Sequence, residues 1–176
     1  MKRYIILIVI LLLTTASTAF GMREGTRHIT GSGLDVYFMN DKVFGTANGR
    51  PLWAIYNCGQ NIRGEIDTGK GYRRFDFTYH RDGDRMITGT FGDERMGLDR
   101  IERENDTVVY TVLFGEREVR FSIRYEREDA GHLVNSIIEG KLPDGKAIRL
   151  TVDGRLCPFA TTGIILITAG ARQIAD

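Results

Sequence analysis

V-R-F-S-I-R-Y-E-R-E, residues 119–128, alternates apolar and polar side chains over its whole length. A period of two is typical of a β-strand that has one buried face and one solvated face. An earlier stretch, G-Y-R-R-F-D-F-T-Y-H-R-D (Gly71–Asp82), aligns without a gap with Arg117–Glu128. Two pairs of aromatic residues coincide in this alignment, Phe75 with Phe121 and Tyr79 with Tyr125. The chain is therefore organised around a repeated strand.

Turn-forming dipeptides separate the strand-like stretches at intervals of about 8–12 residues, as expected of short strands joined by tight hairpins. Examples are Asn48-Gly49, Asp82-Gly83 and Asp144-Gly145. After the amino-terminal segment, no stretch shows a capped apolar period of 3.6 residues, so we expect little helix. We predict an all-β fold, an antiparallel meander of repeated hairpins that closes into an up-and-down, lipocalin-like β-barrel of about 8–12 strands.

The amino terminus has the layout of a secretory signal peptide. Lys2 and Arg3 are followed by an unbroken apolar run, Tyr4–Leu13. Small residues come next and suit cleavage after Ala19 or Gly21. This order of a basic, an apolar and a small-residue region predicts an exported protein, periplasmic or extracellular after cleavage.

The domain division follows from this layout. We predict that residues 1–21 are the signal peptide, that residues 22–33 form a flexible lead-in, and that residues 34–176 form a single β-barrel domain. The alternative for the amino terminus is an uncleaved membrane anchor over Tyr4–Phe20, which is at the short end of what can span a bilayer.

Charges of the two signs are balanced, with 24 Lys and Arg residues against 23 Asp and Glu residues. A nucleic-acid-binding protein needs a concentrated basic surface, and no basic arm or cluster stands out, so we exclude nucleic acid as a partner. The 21 glycines and three prolines fit a chain with many tight turns. A hydrophobic content of 42% is sufficient for a sizeable core.

Cys58 and Cys157 are the two cysteines of the chain. In an exported protein the default state of such a pair is a disulfide. A bridge between them would close a long loop and, in the chain-entropy model, stabilise the fold by about 4–5 kcal/mol. Neither cysteine lies in a C-x-x-C pair or has a histidine close by in sequence, so we predict a structural disulfide rather than a redox or nucleophilic role.

The carboxyl-terminal stretch F-A-T-T-G-I-I-L-I-T-A-G-A, Phe159–Ala171, carries no charge. A stretch that is apolar on both faces must be covered on both faces. We expect a closing strand or a short terminal helix, buried on one side by the barrel and covered on the other by the lead-in. The alternative is a contact surface for a partner protein or a membrane.

Residues with catalytic or metal-binding chemistry are few. His28, His80 and His132 are far apart in sequence and none has metal-ligand spacing. The nucleophile, zinc and phosphate-loop motifs are all absent from the sequence. We therefore predict a protein that is not an enzyme and that has no catalytic residue, no metal site and no cofactor.

The charged residues of Arg100–Glu104 and Arg124–Asp129 have a simpler interpretation. On the outside of a sheet, opposite charges on neighbouring strands pair with each other and discourage association between sheet edges. We expect this arrangement here. An anion site built from Arg120 and Arg124 would require a polar barrel interior.

Our leading hypothesis for function is that the barrel binds a small apolar or amphipathic ligand in its interior. The candidate lining residues are aromatic: Trp53, Phe75, Phe77, Tyr79, Phe121 and Tyr125. The first alternative is a structural or interaction module of the cell envelope that uses Phe159–Ala171 as its contact surface. Alternation does not say which face is inside, so a further alternative is an outer-membrane barrel with its apolar face outward.

Overall fold

The structure is a computed structural model that describes residues 26–57, 59–80 and 86–174. These residues form a closed, antiparallel, up-and-down β-barrel and one carboxyl-terminal helix, α1 (Pro158–Ile174). The strands are β1 (Arg27–Gly31), β2 (Leu34–Met39), β3 (Lys42–Ala47), β4 (Arg50–Asn57), β5 (Asn61–Asp67), β6 (Tyr72–Tyr79), β7 (Ile87–Phe91), β8 (Glu94–Glu104), β9 (Thr107–Phe114), β10 (Arg117–Asp129), β11 (His132–Lys141) and β12 (Ala147–Leu156). The predicted all-β barrel is confirmed.

Each strand pairs with the next one along the chain, and β1 pairs with β12 to close the barrel. The first strand was not expected, because its residues fall in the predicted flexible lead-in of residues 22–33. Ile29 lies opposite Val36 of β2 and opposite Val152 of β12, so β1 is held on both sides. The lead-in is therefore a strand over Arg27–Gly31, and residues 22–25 lie outside the described part of the chain.

The alternation of the repeated strand has its apolar side inward. In β10, Phe121 and Ile123 are fully buried while Arg120 and Arg124 point to solvent. In β6, Phe75 and Phe77 are buried in the same way. This orientation is the reverse of the one that a membrane-spanning barrel needs, in which the apolar side chains face outward to lipid.

The helix α1 lies inside the barrel. Every residue of Phe159–Ala171 is buried, and the helix contacts β5, β6, β7, β8 and β12, strands on opposite sides of the wall. At the end where α1 begins, the ring of Phe159 lies 5.7 Å from that of Tyr56 in β4. At the other end, the Nδ2 atom of Asn48 donates to the carbonyl oxygen of Ala171 at 2.9 Å.

A helix in this position explains how so wide a barrel is filled. Barrels of about eight strands can be filled by side chains alone, and wider ones enclose space that something else must occupy. The buried threonine hydroxyls of α1 need no external partner, because each donates to the carbonyl four residues earlier. These bonds join Thr161 to Cys157, Thr162 to Pro158 and Thr168 to Ile164, at 3.1, 3.0 and 2.7 Å.

Phe159–Ala171 is thus covered on all sides by the barrel wall, of which β1, part of the predicted lead-in, is one strand. Of the two expected forms, a closing strand or a short terminal helix, the structure has the helix. It lies inside the barrel rather than between the barrel and a separate lead-in. In this fold the segment offers no surface to a partner protein or a membrane.

Three expectations concern residues outside the described part of the chain, and the first is the signal peptide at residues 1–21. The turn at Asp82-Gly83-Asp84 lies in one gap, and Cys58 occupies the other. No disulfide is found among the described residues, and the pairing of Cys58 with Cys157 stays a prediction. The Sγ atom of Cys157 lies 2.7 Å from the hydroxyl oxygen of Tyr56, at the end of β4.

Candidate binding surface

The outer wall of the barrel has two faces of different chemistry. The first, the charged face, consists of the outward side chains of β8–β12, above all Arg100, Glu102, Glu118, Arg120, Arg124, Glu139 and Arg149. Glu139 of β11 pairs with Arg124 of β10 at 2.7 Å and with Arg149 of β12. Arg120 pairs with Glu104 across β9. The expected pairing of opposite charges between strands is confirmed.

The charged face also covers apolar wall. Val109 and Leu113 of β9 point outward, since they alternate with the inward Tyr110 and Val112, yet both are buried. Their neighbours in register include Glu102 and Glu118. Long charged side chains can cover apolar surface with their aliphatic stems while the charged ends stay in water. On this side, therefore, apolar wall is shielded from solvent.

The second face, the aromatic face, has no such cover. It consists of five outward side chains of β2, β3 and β4: Tyr37, Met39, Phe44, Trp53 and Ile55. Each of them is between 36% and 49% exposed. Large apolar side chains in this number and proximity are unusual on the surface of a monomeric protein and mark sites of interaction.

Strand register brings these side chains together. Tyr37 lies opposite Phe44, and Phe44 lies opposite Trp53. The ring of Tyr37 stacks on His28 of β1 with centroids 4.2 Å apart and an interplanar angle of 3°. Its centroid lies 5.9 Å from that of Phe44. The side chains thus form one row across four strands, a cross-strand arrangement that stabilises sheets.

Trp53 is the last ring of the row and is also its most exposed member, at 49%. Its Nε1 atom donates to Oε1 of Glu65 in β5 at 3.1 Å. The other carboxylate oxygen of Glu65 lies 3.7 Å from Nε of Arg74 in β6. The indole N–H is therefore satisfied within the protein, although much of the ring remains open to solvent.

A groove of about 730 Å³ borders the aromatic face where Trp53 meets β5, β6 and β7. Its apolar lining comes from Trp53, Ile55 and the 66% exposed Tyr72. Its charged lining consists of Arg63, Arg73, Arg74, Glu65, Asp76 and Asp93. Arg63 and Asp76 form a loose pair, with 3.8 Å between Nε and Oδ2. The groove therefore offers exposed rings beside guanidinium groups that are only weakly engaged.

The six residues predicted to line an interior ligand site do not form one site. Phe75, Phe77 and Phe121 are buried in the barrel, and Tyr79 and Tyr125 pack against the same core. The ring of Phe75 lies 5.8 Å from that of Phe91, beside α1, and Tyr79 contacts Phe159 of α1 with centroids 6.2 Å apart. Trp53 points the other way, to the outside.

Sequence reasoning did not identify Tyr37, Met39, Phe44, Ile55 or Tyr72 as site residues. A signal was present, because β2 (L-D-V-Y-F-M) and β4 (R-P-L-W-A-I-Y-N) carry large apolar residues at both inward and outward positions. A half-exposed strand should carry them at only one. The additional outward apolar residues indicate an interaction surface on the outside of the barrel. They do not show which residues belong to it.

Groups with reactive chemistry are few in the described part of the chain. No three His, Cys, Asp or Glu side chains lie close enough there to hold a metal ion. Burial raises the pKa of the Tyr110 phenol well above its ordinary value, so this phenol is harder to ionise than an exposed one. Within residues 26–57, 59–80 and 86–174, no helix combines the length and the apolar character needed to cross a membrane.

Comparison with protein-family models, with curated proteins and with solved structures gave no match to this chain.

Proposed function

We propose that the protein is an exported, non-enzymatic binding module that acts through the outside of its barrel. The observation that carries the proposal is the aromatic face: five large apolar side chains lie uncovered on β2–β4 while the opposite wall is shielded by charges. Exposed apolar surface of this kind is retained where it meets a partner. The face has the aromatic and Met content of interface centres, and Arg63 and Arg74 border it.

Other uses of the molecule have less support. A small apolar ligand in the lumen would have to displace α1, whose side chains pack against Phe75, Phe91 and the rest of the core. Catalysis would need a nucleophile and base, or a metal, in mutual reach. The polar groups on the aromatic side are engaged in pairs such as Trp53–Glu65 and Arg63–Asp76 and lie on an open wall rather than in a water-excluding cleft.

The test uses cell-envelope material from the producing organism, to which the purified, naturally processed protein is added back. We expect saturable binding of the wild type. The triple variant Tyr37→Ser, Phe44→Ser, Trp53→Ser should bind at least about tenfold more weakly, because it removes the apolar area that drives association. Its fold should persist, since all three side chains point away from the core.

The matched control is Ile137→Ser, which removes an outward apolar side chain from the charged face, opposite Arg124 and Thr151. This variant should bind like the wild type. Equal loss in both variants, or no loss in the triple variant, would refute binding through the aromatic face.

Export has its own test. The mass of the amino-terminal peptide of protein recovered outside the cytoplasm should show a chain that starts after Ala19 or Gly21, as the apolar run and the small residues predict. A full-length chain retained in the cytoplasm would contradict export without bearing on the binding surface.

A further inference from the structure

We infer that the partner of the aromatic face is the headgroup region of a phospholipid bilayer, an inference that rests on the proposed function. The face would lie flat on the membrane, with its side chains among the headgroups and the charged face toward water. Four observations lead to this partner: the residue types of the face, the state of its polar groups, the cations at its border and its curvature.

The residue types match the boundary between lipid and water. Trp and Tyr collect at this depth in membrane proteins, because each has an apolar body and a polar tip. Tyr37 and Trp53 supply such rings, and Met39, Phe44 and Ile55 supply purely apolar surface beside them. A surface of this composition can enter the headgroup region without placing a charge among the acyl chains.

Two polar groups within the face already have partners in the protein. The indole N–H of Trp53 is bonded to Glu65. The carboxylate of Asp35, next to Tyr37, lies 2.7 Å from Nε2 of His28. These contacts lower the cost of losing water around the two groups, because each keeps a hydrogen-bond partner at the boundary.

The border of the face carries cations suited to phosphate. Lys42 lies between Met39 and Ile55 in the strand register. Arg63 and Arg74 follow on β5 and β6, and their side chains are 56% and 86% exposed. Their ion pairs are long and exposed, so they hold the guanidinium groups only weakly. Each can swing to a phosphate oxygen, with which Arg forms strong hydrogen bonds.

Curvature also favours a bilayer over a rigid, flat partner. The face lies on the convex flank of a closed barrel, and its row of rings runs across the strands from β1 to β4. A convex flank meets a rigid flat surface only along a narrow strip. A fluid layer of headgroups can rearrange around all five side chains, and only side chains need enter it.

Trp53 is the only tryptophan in the chain, so its fluorescence reports directly on the face. The naturally processed protein is mixed with vesicles of phosphatidylethanolamine and phosphatidylglycerol. We expect co-sedimentation, a blue shift of the emission, and stronger quenching by lipids brominated near the headgroup than by lipids brominated at the chain end. High salt should weaken binding, because Lys42, Arg63 and Arg74 contact phosphate.

The double variant Phe44→Ser, Ile55→Ser keeps the reporter and removes apolar area around it. We expect its vesicle affinity to fall by about tenfold or more, with a cooperative unfolding transition retained. Ile137→Ser on the charged face is the matched control and should bind vesicles like the wild type.

Three outcomes would overturn the inference. The first is that the protein neither co-sediments with vesicles nor shifts its emission. If it still binds envelope material through the aromatic face, the proposed function stands and the partner is not lipid. The second is a blue shift that depends on protein concentration without lipid, together with a dimer in sedimentation, which would identify a second copy as the partner. The third is equal vesicle binding by the double variant, which would place lipid contact elsewhere on the barrel.

Discussion

Two glycines in α1 show how closely single residues determine the packing of helix against wall. A Cβ atom at Gly170 would lie 2.3 Å from Cγ of Phe91. That ring cannot withdraw easily, because it is stacked on Phe75 with an interplanar angle of 4°. At Gly163 the nearest atoms are Cγ2 and Cδ1 of Ile62, at 3.1 and 3.3 Å. The first position forbids a methyl group, and the second nearly accommodates one.

We therefore expect Gly170→Ala to lower the free energy of unfolding by about 1–3 kcal/mol through overpacking, although alanine favours helix by about 1 kcal/mol. Gly163→Ala should stay within about 1 kcal/mol of the wild type, because its helix gain offsets a small shift of Ile62. Urea unfolding of both variants measures the difference. Equal losses at the two positions would contradict the packing of α1 against β7.

Tyr110 gives a prediction about pH. Burial, with a smaller contribution from Cys157, raises the pKa of its phenol, and a hydrogen bond with Thr161 opposes the shift. The unfolded chain loses this proton at about pH 10, whereas the folded protein still keeps it at that pH. The stability that Tyr110 contributes is therefore fully present below about pH 10 and is lost as the pH rises above it.

Tyr110→Phe should remove this dependence. Relative to the variant, the free energy of unfolding of the wild type should fall above about pH 10, by up to about 1.4 kcal/mol for each pH unit. Urea unfolding at a series of pH values checks this. Curves for the two proteins that stay parallel across this range would show that the phenol is not shielded from water.

At the scale of elements, α1 fills the barrel interior, the space in which an open barrel could bind a ligand. A chain that ends at Cys157 should lose cooperative unfolding and bind an apolar dye, because the core residues that face Phe159–Ala171 would then line an open lumen. Dye fluorescence and near-ultraviolet circular dichroism measure both effects. A chain shortened only by residues 175–176 is the control and should behave like the wild type.

If the chain that ends at Cys157 folds cooperatively with an open lumen, α1 is not needed for the barrel. Interior ligand binding would then regain support over binding at the outer wall.

The elements that follow local patterns could be predicted from the sequence, and those set by distant contacts could not. Between the turns, the sequence predicts strands at Leu34–Met39, Ile87–Phe91 and Thr107–Phe114, and the structure has strands with these bounds. Strand β1 has only Ile29 as an apolar side chain, and its place depends on pairing with β12 at the other end of the chain. Helix α1 is enclosed on every side, so it lacks the polar stripe that would reveal a period of 3.6.

The same reasoning explains what was missed in the candidate site. Trp53 belongs to a strand with apolar side chains at both parities, L-W-A-I-Y, and was assigned to the interior. Only closure of the barrel fixes that Leu52, Ala54 and Tyr56 point inward and Trp53 outward. Alternation identifies the two faces of a strand, but the side on which the core lies is a property of the assembled sheet.

At the scale of the whole molecule, closure depends on the short strand β1, which joins the first and last parts of the barrel. Removal of residues 22–31 should leave β2 and β12 with unpaired backbone edges, and such edges pair readily with other chains. We expect this variant to form dimers or larger aggregates, visible by light scattering, and to lose protection against hydrogen exchange in β2 and β12. A chain that begins at Thr26 retains β1 and should remain protected at both strands. If the variant without β1 stayed monomeric and protected, another segment would have to cover those edges. The position of the aromatic face relative to the rest of the barrel would then not depend on β1.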